Sequence, residues 1–469
     1  MSGGMPAVLP GRLVNAVLEG LASNPALPAT LLDRLVTHPE LAADLAERAD
    51  LSPAHVRALL AHGDSTTVYT LLDKGLVHPA DIPITNESVA LVVTGSPDAD
   101  PALARALAFH PDPAVRARLP ERACSLPADV VDLLARDPDP SVVAELVLFQ
   151  PLPLALAVSL CRHPSLDVRR ALASSPHTPP SVLVSLSSED ALARELAANP
   201  ATPGALAADL LRHHASRYFL AARTDLPTDV YERLASELEP GILSQLAANP
   251  AVPVPVLRQL TATRALRLVL LRNPAIPLDL LVELAPVARI GPDPLPRIAS
   301  ASVAELRELA SSRVAQVRML VAARPDLPPN LFAGLVLDPD AGVAAAVAVH
   351  PLVTVAQLWE LVERHGPQVC PAVARNPLCP PELLHHMASR AGSVETTYRV
   401  IARHPAARGE TLVLCLEDAQ ARHLAAAHPH LPVPTIVELL GSEFTAGAAA
   451  ANPSLPVHVM EELVEGRAV

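Results

Sequence analysis

Residues 196–211 of the chain read LAANPATPGALAADLL, and close copies follow at 246–260 (LAANPAVPVPVLRQL) and 269–284 (VLLRNPAIPLDLLVEL). In each copy an Asn-Pro pair is followed by a second proline and then by a leucine-rich segment. The second proline, such as Pro203, suits the first turn of a helix, where its missing N–H costs nothing. A residue before proline avoids helical geometry, so the Asn-Pro pair marks the end of the preceding helix. The stretch therefore predicts a helix, a corner and a second helix.

The same corner recurs along the chain, mostly at intervals of about 24 to 28 residues, which is the range of stacked helical repeats. An apolar residue stands ten positions after the first proline of the corner, as at Leu186 and Leu335, and another stands four before it, as at Leu196. One unit cannot bury two apolar faces alone, so stability has to come from stacking. The first prolines are Pro25, Pro151, Pro176, Pro200, Pro250, Pro274, Pro325, Pro351, Pro377, Pro405, Pro429 and Pro453, and the same slot is assigned to Asp50, Ala123, Thr224 and Ala299.

A second corner divides each unit into two helices. It reads DPDPSVV from Asp137 and DPDAGVA from Asp338, and an Asp just ahead of a helix caps its free N–H groups. Two helices per unit and no alternating strand pattern predict an all-α solenoid of two-helix repeats. We expect one elongated solenoid over residues 13–465, flexible ends at 1–12 and 466–469, and an irregular unit around 82–126, where the phase of the repeat slips.

Composition narrows the class of protein. Half of the 469 residues are apolar, 2% are aromatic, and the formal net charge is −13. The acidic balance argues against a protein that grips phosphate backbones, so nucleic acid is not the expected partner. The start of the chain lacks the features of a secretory signal, and the most apolar stretches are interrupted by proline, so no membrane contact is expected. Five cysteines without a CxxC pair fit a reducing compartment, and we expect a cytoplasmic protein.

Four repeat words resemble those of the leucine-rich repeat variant family, which is similar in general appearance to bacterial HEAT-type repeats. They are LAANPATPGALAADLL, ALASSPHTPPSVLVSL, VARNPLCPPELLHHM and AAHPHLPVPTIVELL. The resemblance implies a right-handed superhelix in which α-helices alternate with short 3-10 helices, without a sheet and without catalytic residues. Some relatives hold an iron–sulfur cluster on an N-terminal cysteine cluster, but the first cysteine here is Cys124, so no cofactor is expected.

No residue pattern in the chain indicates catalysis or a metal site. GxSxG, phosphate-binding and dinucleotide-binding motifs are missing from the sequence, so we expect no enzyme activity. Histidines before proline take corner slots that elsewhere hold asparagine, and one per repeat is too widely spaced for one metal ion. We interpret them as substitutes for asparagine that hydrogen-bond the corner. They are His38, His78, His163, His350, His404 and His428.

Eight residues are candidates for contact with a partner. Arginines recur seven residues before the first corner proline and would form a stripe in a stack. They bind an acidic or phosphate-bearing partner or, as we favour, pair with carboxylates of the neighbouring turn. Trp359, Tyr218 and Phe219 are less well explained as core residues than Tyr231 or Phe332, and exposed aromatics concentrate binding energy. The stripe consists of Arg116, Arg169, Arg267, Arg318 and Arg422.

The regular positions are all explained by folding, which favours a non-enzymatic scaffold or adaptor that binds a protein. Two alternatives stay open: a HEAT-like nucleic-acid-binding or DNA-modifying protein, and a regulatory or immunity-type protein that sequesters one partner. The last helix, PVHVMEELVEG, lacks an obvious polar closing unit. We therefore also expect end-to-end self-association.

Overall fold

The computed structural model describes residues 11–288, 294–390 and 395–466. These residues form helices that pack on their neighbours in sequence, and no strand occurs among them. The all-α repeat fold predicted from the corners is therefore confirmed. The chain divides into two compact units: the first holds the described residues of 1–62 and 298–469, and the second holds 63–288 and 295–297. The ends predicted as flexible lie largely outside the described residues.

The helices, in chain order, are α1 (Gly11–Ala22), α2 (Ala29–Leu35), α3 (Ala42–Ala46), α4 (Pro53–Ala61), α5 (Ser65–Asp73), α6 (Glu87–Thr94), α7 (Pro101–Ala108), α8 (Pro113–Arg122), α9 (Ala128–Leu134), α10 (Pro140–Phe149), α11 (Leu154–Leu160), α12 (Leu166–Ser174), α13 (Pro180–Leu186), α14 (Ala193–Ala198), α15 (Gly204–Asp209), α16 (His214–Ala222), α17 (Thr228–Ala235), α18 (Pro240–Ala248), α19 (Val254–Leu260), α20 (Arg267–Leu271), α21 (Leu278–Leu284), α22 (Pro296–Ala299), α23 (Val303–Ala310), α24 (Ala315–Ala322), α25 (Pro329–Val336), α26 (Ala341–Ala348), α27 (Val355–His365), α28 (Cys370–Val373), α29 (Pro381–Arg390), α30 (Glu395–Ile401), α31 (Gly409–Cys415), α32 (Arg422–Ala426), α33 (Val433–Leu439), α34 (Ala446–Ala450) and α35 (Val457–Val464). Short 3-10 segments are Pro39–Leu41, Pro79–Asp81, Asp190–Leu192, Leu210–Arg212, Arg264–Leu266, Ala285–Val287 and Gly366–Gln368.

One repeat shows why these sequence segments fold as they do. Pro179 lies at the N-cap of α13 with φ −60° and ψ 143°, so its extended backbone leads directly into the helix. Leu183 and Leu186 bury one side of α13. The chain then passes through a 3-10 turn into α14, which ends at Ala198. The next residue, Asn199, has φ −78° and ψ 119°, so the backbone leaves helical geometry before Pro200. Helix, corner, helix and corner follow in the predicted order.

The second helices of successive repeats stack on one another and carry the core. In the second unit α12, α14, α16, α18 and α20 pack in that order. The predicted leucine four residues before the corner is at most 1% exposed in each. Burying one such side chain stabilises the fold by about 1.5 to 3 kcal/mol, so the column is a main source of stability. Its members are Leu172, Leu196, Leu220, Leu246 and Leu270.

Short 3-10 helices open only some of the second helices, unlike the regular alternation that the resemblance implies. They precede α3, α14 and α20, where the N-cap residues His38, Glu189 and Thr263 make no side-chain capping bond. By contrast, Asp139 and Asp340 accept backbone N–H groups and start α10 and α26 directly as α-helices. A capping oxygen satisfies N–H groups that otherwise have no partner, which stabilises the first turns of α10 and α26.

Residues 82–126 hold three consecutive helices, α6, α7 and α8, rather than helix pairs with the usual corners. Leu91, Leu107 and Leu119 from these helices are buried in one apolar cluster. Pro120 lies inside α8, which ends two residues later at Arg122. The stretch where the sequence pattern slips is thus built from tightly joined helices that share a local core.

Within the first unit, α1 packs against α34 and α35. Asn24 donates from Nδ2 to the carbonyl oxygens of Ala450 and Asn452, at 2.8 Å each. The helices approach closely because Gly20 lacks a side chain: a Cβ there would collide with the carbonyl oxygen of Gly447. The face of the last repeat, for which the sequence offered no closing unit, is covered by α1 of the same chain. Self-association remains a prediction, but an uncovered last repeat no longer supports it.

Candidate interaction surface

The buried asparagines of the corners join each repeat to the one before it. Asn199 is 1% exposed, and its Nδ2 donates to the carbonyl oxygens of Ala173 and Ser175, at 2.8 and 2.9 Å. Its Oδ1 accepts the N–H of Ala201 at 2.9 Å. The end of the preceding α12 leaves carbonyls without helical partners, and the asparagine satisfies them. These polar residues are therefore committed to folding.

Three of the corner histidines make the same contacts. His350, His404 and His428 donate from Nε2 to a carbonyl of the preceding repeat, at 3.0 to 3.1 Å. In each, Nδ1 accepts the N–H of the residue two positions later. The two bonds together require the neutral tautomer that carries its proton on Nε2. The interpretation of these histidines as asparagine substitutes is confirmed.

Arginine also fills this slot, which the sequence reading missed. Arg223 donates to the carbonyls of Asn199 and Thr202, at 2.8 and 2.7 Å, while its Nε and Nη2 pair with Asp225. The hydrogen bonds from Arg223 lower the pKa of Asp225. Arg48 and Arg324 repeat the arrangement, each with an Asp two positions later. The sequence signal for these arginines is the pattern Arg-x-Asp. This pattern also puts the corner slot at Arg48, one residue earlier than the assignment of Asp50 to the first-proline position implies.

Three arginines of the predicted stripe pair with carboxylates of the next repeat. Arg116 binds Asp137 through Nε and Nη2, at 2.7 and 2.9 Å. This hydrogen-bonded pair lowers the pKa of Asp137 and raises the pKa of Arg116. Arg318 binds Asp338 in the same way, at 2.6 and 3.0 Å, and Arg169 contacts Glu189 at 3.0 Å. The favoured alternative of pairing within the chain describes these three residues.

The other two arginines of the stripe are placed differently. Arg267 donates from Nε to the carbonyl of Thr261 at 3.4 Å, and Arg422 donates to that of Leu416 at 2.8 Å. Both bonds lie within one repeat. Partner contact by the stripe stays a prediction, and it rests most readily on these two side chains.

The predicted aromatic residues lie in different units. Trp359 is half-buried on α27 in the first unit, with its ring 5.4 Å from that of His386. Tyr218 and Phe219 lie on α16 in the second unit, where Tyr218 is 42% exposed. Tyr231 and Phe332 are buried, as expected for core residues. The structure therefore brings Tyr218 and Phe219 together on one helix, and Trp359 belongs to the other unit.

Tyr218 belongs to a row of side chains at equivalent positions on successive second helices. We call these five residues the α12–α20 row. Four of them are exposed and one is half-buried, because they lie on the side of each helix away from the leucine column. The row changes from cationic at one end to apolar at the other. Its members are Arg170, Arg194, Tyr218, Ser244 and Leu268.

The centre of the row is held in a fixed arrangement. The rings of Tyr218 and Phe219 meet edge to face, with centroids 5.3 Å apart and planes at 86°. Gln245 donates from Nε2 to the Tyr218 hydroxyl at 2.8 Å. The guanidinium carbon of Arg194 lies 5.4 Å from the Phe219 centroid, within the range of a cation–π contact. Tyr218 is thus held by two neighbours, Phe219 and Gln245, and an exposed tyrosine held in this way loses little conformational entropy when a partner binds it.

The cysteines are free thiols, and three of them, Cys370, Cys379 and Cys415, are buried. Burial raises the pKa of both Cys379 and Cys415 to about 12, so their thiols stay protonated. Cys161 is half-buried. Among the described residues there is no group of three metal-ligating side chains. No helix in the described part of the chain is long and apolar enough to span a membrane.

The stacked helix pairs and their bonded corners define a helical repeat protein. Residues 342–404 match the family model described as the Leucine Rich Repeat Variant domain, which supports the resemblance seen in the repeat words. The matched segment runs from α26 to the end of α30 in the first unit. Comparison with curated proteins gives no match.

Proposed function

We propose that this helical repeat protein is a non-enzymatic scaffold or adaptor that binds a protein partner through the α12–α20 row. The observation that carries the proposal is the braced cluster of Tyr218, Phe219 and Arg194. Tyrosine and arginine are the residue types most enriched among binding hot spots, and hot spots are effective where neighbouring groups hold them in place. The polar corner residues bond the repeats together, which leaves this row free to recognise another molecule.

The charges of the row indicate the chemistry of the partner. Arg170 and Arg194 are exposed at one end, while Leu268 is 50% exposed at the other. A partner segment with a carboxylate next to apolar side chains would complement both ends. The five free cysteines agree with a reducing compartment, and we infer that the protein acts in the cytoplasm.

Photo-crosslinking at the row tests the proposal. A photoreactive phenylalanine analogue at position 218 is expected to capture one stoichiometric protein in native lysate, whereas the same group at Phe444, 86% exposed in the first unit, is not. With the captured protein purified, Tyr218→Ala is expected to weaken binding by about 2 kcal/mol, or about 30-fold in Kd. Phe109→Ala, 74% exposed in the second unit, is the control. Equal capture at both positions, or an unchanged Kd for Tyr218→Ala, would overturn the proposal.

The alternatives predict other outcomes. Arg116, Arg169 and Arg318 are already paired with carboxylates, so they are poorly placed to neutralise phosphates. DNA binding that falls steeply with salt would nevertheless favour a nucleic-acid role. A single partner held at one-to-one stoichiometry with very slow dissociation would favour sequestration over a scaffold.

A further inference from the structure

A cleft of about 340 Å³ lies in the first unit, whereas the α12–α20 row belongs to the second unit. It lies beside α27 and α29, which are longer than the corresponding helices of other repeats. α27 has 11 residues and α29 has 10, against seven in α13, α19 and α21. Gly366 ends α27 with φ +61°, a backbone conformation that favours glycine. The last turns of the two long helices, together with this turn, form the walls.

The mouth of the cleft carries charges that are already paired. His386 Nε2 lies 3.3 Å from Glu363 Oε1, and Arg390 Nη1 lies 3.8 Å from the same oxygen. Arg390 Nη1 is also 3.2 Å from His386 Nε2. The ring of Trp359 rests beside His386. Because acid and base balance one another here, the mouth does not favour an ionic ligand of either sign.

The interior is apolar and contains one unused polar group. Val362, Met387 and Cys370 line it and are 6%, 2% and 7% exposed. Burial raises the pKa of Cys370, so the thiol is neutral. Thr397 also lines the cleft; it is fully buried, and its hydroxyl has no hydrogen-bond partner. Buried hydroxyls are normally bonded, so this one marks a place where a ligand oxygen would be stabilised.

We propose that the cleft binds a small uncharged molecule that is mostly apolar and carries one hydroxyl or carbonyl group. The apolar part contacts Val362, Pro367 and Met387, and the oxygen hydrogen-bonds to the Thr397 hydroxyl. The volume lies within the usual range for small-molecule pockets, which are mainly apolar with a few well-placed polar groups.

The chain contains one tryptophan, Trp359, whose ring lies beside His386 of the cleft and can therefore report on binding there. 1-Octanol, titrated into the full-length protein, is expected to change the fluorescence of Trp359 in a saturable way. Thr397→Val keeps the shape of the side chain and is expected to weaken octanol binding about tenfold through the lost hydrogen bond. Thr202→Val is the matched control, because Thr202 is also buried with an unpartnered hydroxyl but lies in the second unit.

A second variant, Val362→Phe, fills the cleft and is expected to abolish the fluorescence change. Circular dichroism checks that each variant is folded. The absence of a saturable change in the unmodified protein would overturn the site, and so would unchanged binding in folded Val362→Phe. Equal affinities in Thr397→Val and Thr202→Val would overturn the role of the Thr397 hydroxyl.

Discussion

One side chain at each corner performs a folding task that different residue types can share. Asn199 reaches two carbonyls of the preceding repeat, His404 reaches one, and Arg223 reaches two while pairing with an Asp. What the slot requires is a donor of sufficient length together with a group that holds the next turn. An amide, a neutral imidazole and a guanidinium–carboxylate pair each meet that requirement.

Replacing Asn199 tests this equivalence. Asn199→Ala leaves the carbonyls of Ala173 and Ser175 without their donor, so we expect a loss of about 1 to 3 kcal/mol in stability. Asn199→His is expected to keep most of it. Hydrogen exchange at the junction measures the local stability of each variant. If the histidine variant lost as much protection as the alanine variant, the slot would depend on asparagine itself.

The corner histidines make the first unit sensitive to acid. Burial lowers the pKa of His428 and of His350. The unfolded chain therefore takes up protons first as the pH falls below about 6.5, so stability is full above that value and is lost below it, towards the lowered pKa of the folded state. His428→Asn removes one of the two groups. Its melting temperature is expected to fall less than that of the unmodified protein between about pH 7 and pH 5.

An equal fall in the two proteins would contradict this assignment. Aspartates with lowered pKa values, such as Asp137, contribute stability that is lost only at lower pH. Their carboxylates take up protons in the unfolded chain below about 3.9, and in the folded protein only at a still lower pH. The two effects therefore separate along the pH axis. The sequence placed His350, His404 and His428 correctly, because each stands where asparagine stands elsewhere. The bonds of His38, His78 and His163 instead stay within their own turn at the second corner. The sequence did not reveal Arg48, Arg223 and Arg324, because arginine fills the slot only together with an Asp two positions later, and the asparagine corners do not contain that pair.

Between elements, the stability that an ion pair of neighbouring repeats contributes depends on how far water is excluded from the pair. Arg116 and Asp137 are 13% and 6% exposed, whereas Arg258 and Asp279 are 49% and 62% exposed. We expect Asp137→Ala to cost about 1.5 to 3 kcal/mol, because it leaves a largely buried guanidinium without its charged acceptor. Asp279→Ala is expected to cost clearly less, because water screens that exposed pair. Unfolding in urea compares the two, and equal costs would show that the buried pair has no special role.

The order of helices was predictable because proline and Asp mark the corners at each repeat. The cleft beside α27 was not. Its cause is one additional turn in each of two helices, and the sequence there continues the same apolar spacing through Val362 and Met387. Only Gly366 indicates where α27 ends. The volume of a cleft depends on the distance between neighbouring helices. A sequence pattern along one helix does not specify that distance.

At the scale of the whole molecule, the same corner bond joins residues far apart in the chain. Asn24 and Asn452 occupy equivalent positions in the repeat, and Asn24 donates to the carbonyl of Asn452 although they are 428 positions apart. Asn452 in turn donates to the carbonyl of His428 at 2.9 Å, so the bonds in the first unit continue from the last repeat into the first. The repeat pattern made the two ends compatible, but contact between them is a property of the folded unit.

Corner bonds and close helix contacts stack these repeats, including the first upon the last within the first unit. Gly20→Ala probes this contact, since a Cβ at position 20 would meet the carbonyl oxygen of Gly447 and the Cβ of Ala450. The control is Gly334→Ala, because a Cβ at Gly334 meets no atom within 4 Å, and alanine favours a helix over glycine at both positions. We predict that hydrogen exchange in α1 and α34 becomes faster in Gly20→Ala, and that Gly334→Ala leaves it unchanged or slower. Unchanged protection of both helices in Gly20→Ala would show that the first repeat does not stack on the last.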